Sequence, residues 1–314
     1  MDVALVDVDN VNRLNDCFPN LALMKLSAYH KRRGDRVQWF EPLEMRHFDR
    51  AYLSKVFSFT PDLDYFIDAD EIVKGGTGYA ITTENGRECF DKAKHGTLPD
   101  EIEHIYPDYS LYGINDTAYG FMSRGCPRGC GFCHVKDKEG LRSYKVADLS
   151  EFWSGQKYIE LMDPNTLACS EWRDILGQLA ESGATVNFNQ GVDVRLMTEA
   201  KAEAIKAVKT KRIHFAFDRY EDGQNIKPRL EQFSKVSGFD HHKVSVYVLC
   251  NFNTTIEQDL ERIMFIRSID FQPYVMLYDK ANIKRGSELL KLQRWVNSPF
   301  IFWTCPTFEE YKRR

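Results

Sequence analysis

The chain has 314 residues, 43% of them hydrophobic and 28% charged, a balance that supports one large buried core or two smaller ones. No apolar run approaches the length of a bilayer span, so an integral membrane protein is not expected. Eight cysteines, three of them clustered, do not make a disulfide framework, and a reducing cytosol is the expected home.

The first stretch reads as a small α/β unit. Val3–Val8 is a short apolar strand, and residues 19–31 place Leu21, Leu23, Met24, Leu26 and Ala28 at helical spacing. Gly34 reads as the helix stop, and residues 36–40 follow as the next strand. Residues 51–57 and 71–73 read as two more strands, the last running into Gly75-Gly76-Thr77-Gly78. This succession predicts a Rossmann-like parallel sheet with helices packed on it. Only about ten residues join its second and third strands, little room for a helix. Residues 80–104 are polar and irregular, and read as loops or a short hairpin.

A clearer alternation begins at Ala118. Strand 118–122 leads into the loop that carries the clustered cysteines, then a helix near 147–153, strand 158–162 and helix 171–181. Strands at 185–188, 212–217, 243–249 and 273–277 follow, separated and closed by helices at 198–208, 227–236, 255–268 and 286–296. Six β/α units are three-quarters of the eight that close a full barrel, and chemistry in such barrels collects at the C-terminal strand ends. The predicted organisation is a small α/β domain over 1–110, a partial barrel over 111–300 and a C-terminal extension over 301–314.

Charge is unevenly spread. Residues 1–117 hold 13 Lys and Arg against 21 Asp and Glu, whereas 118–314 hold 29 against 25. A basic second part suits an anionic substrate such as a nucleotide or nucleic acid, although an excess this small also falls within ordinary scatter. The runs Lys31-Arg-Arg33, Lys209-Thr-Lys-Arg212 and Lys312-Arg-Arg314 read as solvated surface.

The densest chemistry lies in Arg124-Gly-Cys-Pro-Arg-Gly-Cys-Gly-Phe-Cys133. Cys126, Cys130 and Cys133 can grip one face of a metal cluster, and glycines at 125, 129 and 131 let the backbone wrap around it. A fourth cysteine would close such a site, so the count of three is informative. Two other assignments compete. Cys130-Gly-Phe-Cys133-His134 also spells the attachment pattern of a covalent haem, and Cys126, Cys130, Cys133 and His134 form a Cys3His donor set for zinc. Haem attachment needs export, and Met1–Val6 shows neither a basic start nor a cleavable apolar stretch. A structural zinc site normally separates two ligand pairs by a loop.

The C-x3-C-x2-C spacing, with an aromatic residue before the last cysteine, resembles the signature of the radical SAM superfamily. That resemblance implies a [4Fe–4S] cluster held by Cys126, Cys130 and Cys133, its fourth iron left to S-adenosylmethionine (SAM). It implies a partial (β/α)6 barrel, here preceded by a small Rossmann-like α/β domain. The implied reaction is reductive cleavage of SAM to a 5′-deoxyadenosyl radical that takes hydrogen from an organic substrate, with a flavodoxin or ferredoxin as electron donor. Phe132 matches the aromatic position near the adenine. Leu161-Met-Asp-Pro-Asn165 stands where the family often has a Gly-Gly-Glu-like run, which makes Asp163 and Asn165 candidates for the SAM amino group; a plain turn is the alternative. In Asn187-Phe-Asn-Gln-Gly-Val-Asp-Val-Arg195, Arg195 matches a contact to the SAM carboxylate, with Gln190 and Asp193 near ribose or substrate. Asn251 is the adenine candidate after the fifth strand, where the family tends to have glycine.

Cysteines 17, 89, 169, 250 and 305 show no ligand-like spacing; Cys250 and Cys305 read as buried thiols, with hydrogen-atom relay as the alternative. His214 reads as core. The first domain resembles a shortened cobalamin-binding-like domain through its strand–helix order, Gly75–Gly78 and the linker over 98–110. The family's D-x-H-x-x-G histidine is missing, since His30 and His47 lack those flanks, so a scaffold or substrate-binding role is favoured over cobalamin. The expected activity is a radical SAM reaction on an organic substrate, a nucleotide or nucleic acid first. The alternatives are a cobalamin-dependent methyltransferase and a non-catalytic zinc or iron–sulfur module.

Overall fold

A computed structural model describes residues 1–11, 18–84 and 87–313; Cys17 lies outside them. The chain divides into two units. The first is Met1–Gly120 with Gly125–Arg142 and Ala147–Gln156, and the second is Phe121–Arg124 with Ser143–Val146 and Lys157–Arg314.

In the first unit, strand β1 (Asp2–Asp7), helix α1 (Leu21–Arg32) and strands β2 (Arg36–Trp39), β3 (Phe48–Ser54) and β4 (Ala69–Gly75) follow one another. The sheet order is β2-β1-β3-β4 with every pair parallel. Alternation along β1 builds two cores. Val3 and Leu5 meet Leu23 and Leu26 of α1, while Ala4 and Val6 meet Phe48, Ala51, Leu53 and Ile67 on the opposite face. Helix α1 starts where the Asn20 side chain accepts from the Leu23 N–H at 3.3 Å, and ends in His30, Lys31 and Arg32.

Two sequence expectations shift here. The third strand lies at Phe48–Ser54 rather than 51–57, because Asp9 accepts from the Val56 N–H at 2.5 Å and draws the chain out of the sheet. The helices expected on the sheet reduce to α1 and the short turns Thr77–Ala80 and Asp100–Glu103. Gly76 is required where β4 ends: it has φ +100°, and a Cβ there would lie 2.3 Å from the Lys55 carbonyl oxygen. Strands β5 (Ile81–Glu84) and β6 (Arg87–Phe90) form the antiparallel hairpin that follows. His30 bonds Asp35 at 2.7 Å and Tyr52 at 3.1 Å, and His47 reaches Asp68 and Asp70, so both histidines are engaged within the unit.

Strand β7 (Thr117–Gly120) and the short pair β8 (Ser123–Arg124) and β9 (Tyr144–Lys145) flank the cysteine loop in sequence. The helix expected near 147–153 is only a single 3-10 turn, Leu149–Glu151, closed by the Asp148–Glu151 capping box. Beyond it come β10 (Tyr158–Leu161), α2 (Trp172–Glu181), β11 (Thr185–Val192), α3 (Glu199–Ala207) and β12 (Thr210–Ala216). The series continues with α4 (Gly223–Ser237), β13 (Val244–Cys250), α5 (Ile256–Ser268), β14 (Gln272–Leu277) and α6 (Glu288–Val296). These strands build a six-stranded sheet in the order β14-β13-β12-β11-β10-β7, neighbours in the sheet being neighbours in the series. Register is parallel throughout β10 to β14.

Helix α4 begins four residues before the expected start. Pro228 gives up one backbone bond without ending the helix, because Ile226, Leu230 and Phe233 bury one continuous face. Helices α7 (Pro299–Thr304) and α8 (Phe308–Arg313) return against α6, with Phe302 and Phe308 at 4.9 and 5.5 Å from the buried Trp295 ring. The protein is thus α/β, built on parallel sheets. Among the described residues no helix is long and apolar enough to cross a membrane.

Candidate functional site

The cysteine loop is fixed at both ends by its backbone. Gly125 has φ +77°, and a Cβ on it would lie 2.1 Å from the Arg142 carbonyl oxygen, so only glycine fits. Its N–H donates to Glu139 Oε2 at 3.0 Å, and the Cys126 N–H donates to the Gly140 carbonyl at 3.2 Å. A tight turn closes the far side, with the Cys133 N–H on the Cys130 carbonyl at 3.2 Å. Of the three glycines expected to free this loop, only Gly125 adopts a positive φ.

Cys126, Cys130 and Cys133 are half-buried thiols. Burial pushes the Cys133 thiol up, and the neighbouring Cys130 and Cys126 push it further in the same direction. A thiol whose ionisation is opposed by burial and by two neighbouring sulfurs is relieved by a bound cation, and all-thiolate donors suit iron–sulfur chemistry. In chemistry the trio therefore fits the cluster. Among the described residues, however, no group of three or more His, Cys, Asp or Glu side chains is arranged to hold a metal ion. His134, the fourth member of the zinc alternative, places Nε2 at 3.2 Å from Glu88 and stacks on Phe90. Phe132 is 38% exposed.

In the second unit, Asp163, Asn165, Asp193, Arg195 and Asn251 follow the C-terminal ends of strands β10, β11 and β13. Asp163, after β10, is 4% exposed and accepts from the Met122 N–H at 2.7 Å, Ser123 Oγ at 2.6 Å and Thr166 Oγ1 at 3.3 Å. Burial pushes its carboxyl up to about 6 against the pull of those donors. Asp163 thereby ties β8 to the turn after β10. Asn165 is 2% exposed, and its carbonyl accepts from Ser143 Oγ at 3.4 Å.

Strand β11 runs four residues past its expected end. Its register slips between Phe188 and Gly191, and the exposed Gln190 falls inside that bulge. Asp193 and Arg195 come together: the Asp193 carboxylate accepts from the Arg195 N–H at 3.1 Å and from its Nε at 2.7 Å. Arg195 Nη1 reaches Asp222 at 3.3 Å, and the Arg195 carbonyl accepts from Arg229 at 2.8 Å. Asn251, after β13, has φ +64°, its close neighbour Asn253 has φ +55°, and Asn251 Nδ2 donates to the Tyr278 carbonyl at 3.1 Å. Asparagine is the residue that best replaces glycine in this left-handed region.

Sequence reasoning passed over the pin beneath these strand ends. Arg262 of α5 is wholly buried, donates to the carbonyls of Phe217, Asp218 and Leu249 at 2.5, 2.8 and 2.9 Å, and pairs with Asp259. Asp218, just past β12, is pushed up to about 6 by burial. The spacing of Asp259 and Arg262, three residues apart on a helix, was the available signal. Cys250 and Cys305 are both buried thiols; burial pushes the first far up. No protein-family model matches the chain, and no curated protein matches it either.

Proposed function

We propose that this chain is a radical SAM enzyme acting on a nucleotide or nucleic acid in a reducing cytosol. The observation that carries the reading is the C-x3-C-x2-C trio of half-buried thiols on one anchored loop, in a chain whose six-stranded sheet takes its strands in sequence order. That strand order supports a partial (β/α)6 barrel as the finer description of the six-stranded sheet. When bound, the [4Fe–4S] cluster and SAM supply one-electron cleavage of the sulfonium, giving a 5′-deoxyadenosyl radical that takes hydrogen from the substrate. Cys126, Cys130 and Cys133 would hold that cluster, and a flavodoxin- or ferredoxin-like protein would supply the electron.

The remaining residues orient. Asp163 sets the turn that carries Asn165, and Phe132 offers an aromatic face for adenine. Arg195 is steadied by Asp193 at 2.7 Å and Asp222 at 3.3 Å, and its guanidinium is the group proposed to meet the SAM carboxylate. Asn251 and Asn253 give the backbone the left-handed bends that glycine gives elsewhere. The test is release of 5′-deoxyadenosine from SAM by anaerobically reconstituted, reduced protein. Release by the natural chain and none from Cys126→Ala supports the reading; no release from an iron-loaded chain overturns it.

A further inference from the structure

One face of the second unit's sheet carries buried polar atoms that nothing among the described residues satisfies. Phe215 of β12 packs edge-on against Phe233 of α4, with centroids 4.9 Å apart, so that face of the strand looks toward the helices. Arg212 and His214 alternate with Ile213 and Phe215 and therefore lie on the opposite face. The parallel register carries this face across the sheet. Asn187 of β11 is the direct partner of Arg212, and Tyr274 of β14 is the partner of Tyr247 of β13. The His214 ring lies flat against Tyr247 at 5.1 Å and 3°, and Tyr274 meets Tyr247 edge-on at 5.7 Å.

Asn187 Oδ1, Arg212 Nε and His214 Nδ1 are buried without a hydrogen-bond partner among the described residues. A buried polar atom without a partner keeps its full desolvation penalty, so three on one face call for a common partner. Asn187 is not free to turn over: its Nδ2 donates to Glu160 Oε2 at 2.5 Å, which leaves Oδ1 as the open acceptor. Burial holds the His214 imidazole down to about 4, so its ring is neutral at physiological pH. Asn187 and Arg212 stand opposite one another on neighbouring strands about 4.8 Å apart, so one edge of a heterocycle can address both residues.

The pattern of donor and acceptor selects the ligand. An oxyanion satisfies Arg212 but turns only lone pairs toward Asn187 Oδ1. An apolar ring satisfies none of the three. A carbonyl beside an N–H satisfies the first two together, and an aromatic ring that carries them has Tyr247 and Tyr274 beside it. We propose that this face binds a nucleobase through a lactam edge, as in uracil, thymine or guanine, with Arg212 donating to the carbonyl and Asn187 accepting from the N–H. As a substrate assignment this rests on the radical SAM reading; as a binding site it needs neither iron nor SAM.

Calorimetric titration of the full chain, with and without reconstituted iron, tests it with uridine, guanosine, cytidine and adenosine, and with short oligouridylate and oligocytidylate. Uridine and guanosine, or oligouridylate where the base is read within a strand, should bind about tenfold or more tighter than their counterparts without a lactam N–H. Preference for the free nucleoside identifies a small-molecule substrate, and preference for the oligomer identifies a nucleic acid. Asn187→Leu and Arg212→Gln should each remove most of the discrimination. Equal affinity for all bases, or no binding by any, overturns the proposal without reference to a variant. A chain that ranks the bases this way yet takes up no iron sinks the radical SAM reading alone, and a chain that cleaves SAM but does not rank them sinks this one alone.

Discussion

Replacing Asp163 by asparagine changes how stability depends on pH. The carboxyl is buried, its pKa rises from 3.8 to about 6, and donors from Met122, Ser123 and Thr166 surround it. A carboxyl whose folded pKa lies above its unfolded value stabilises the fold when protonated. That contribution is complete below about pH 4 and is lost as pH rises through about 6. The gap of about two units is worth ~3 kcal/mol in full, of which about 2 kcal/mol is lost between about pH 4.5 and about pH 7.5. Asparagine does not titrate, and any fixed mismatch with the three donors is the same at both pH values. Urea unfolding followed by circular dichroism should therefore show Asp163→Asn gaining about 2 kcal/mol on the natural protein between those two conditions. Two stability curves that stay parallel to within about 0.5 kcal/mol would refute the claim that burial governs this carboxyl.

Other substitutions probe the loop and the strand ends. Gly125→Ala forces a Cβ to 2.1 Å from the Arg142 carbonyl; iron bound per chain should fall by more than half while far-UV circular dichroism is retained, as checked by colorimetric iron assay. Arg195→Ala strips Asp193 of its closest cation and should lower stability by about 2 kcal/mol in urea unfolding, whereas Arg195→Lys should recover about half. Arg262→Leu leaves Asp259 charged and buried, together with three uncapped carbonyls, and should cost about 3–5 kcal/mol by the same measurement.

Much of the architecture was legible because it is written in period. Apolar residues at helical spacing over 19–31 became α1, and five of the later strands fall within a few residues of their expected places. Short-range signals failed where a distant side chain decided the outcome. The end of β3 is set by Asp9, forty-seven residues before Val56, which no local pattern reveals. The length of β11 depends on a register slip opposite β12, so Gln190 was read as a strand-end residue when it sits in a bulge. Spacing alone singled out the three cysteines, although among the described residues they form no metal-holding group. The pairing of Arg195 with Asp222 was not legible, because those residues meet only through the fold. His214 was read as core from its place inside a strand, and its alternation with Ile213 and Phe215 puts it on the face opposite the helices.

The proposed radical SAM activity requires three thiolates around a cluster with one iron open to SAM. Electron paramagnetic resonance of the anaerobically reconstituted and reduced chain, with iron counted in the same sample, addresses it most directly. About four irons per chain are predicted, with a signal that SAM alters. Each of Cys126→Ala, Cys130→Ala and Cys133→Ala should abolish that signal, and Cys89→Ala should leave it intact. Zinc in place of iron, or a cluster whose spectrum SAM leaves unmoved, would contradict the account.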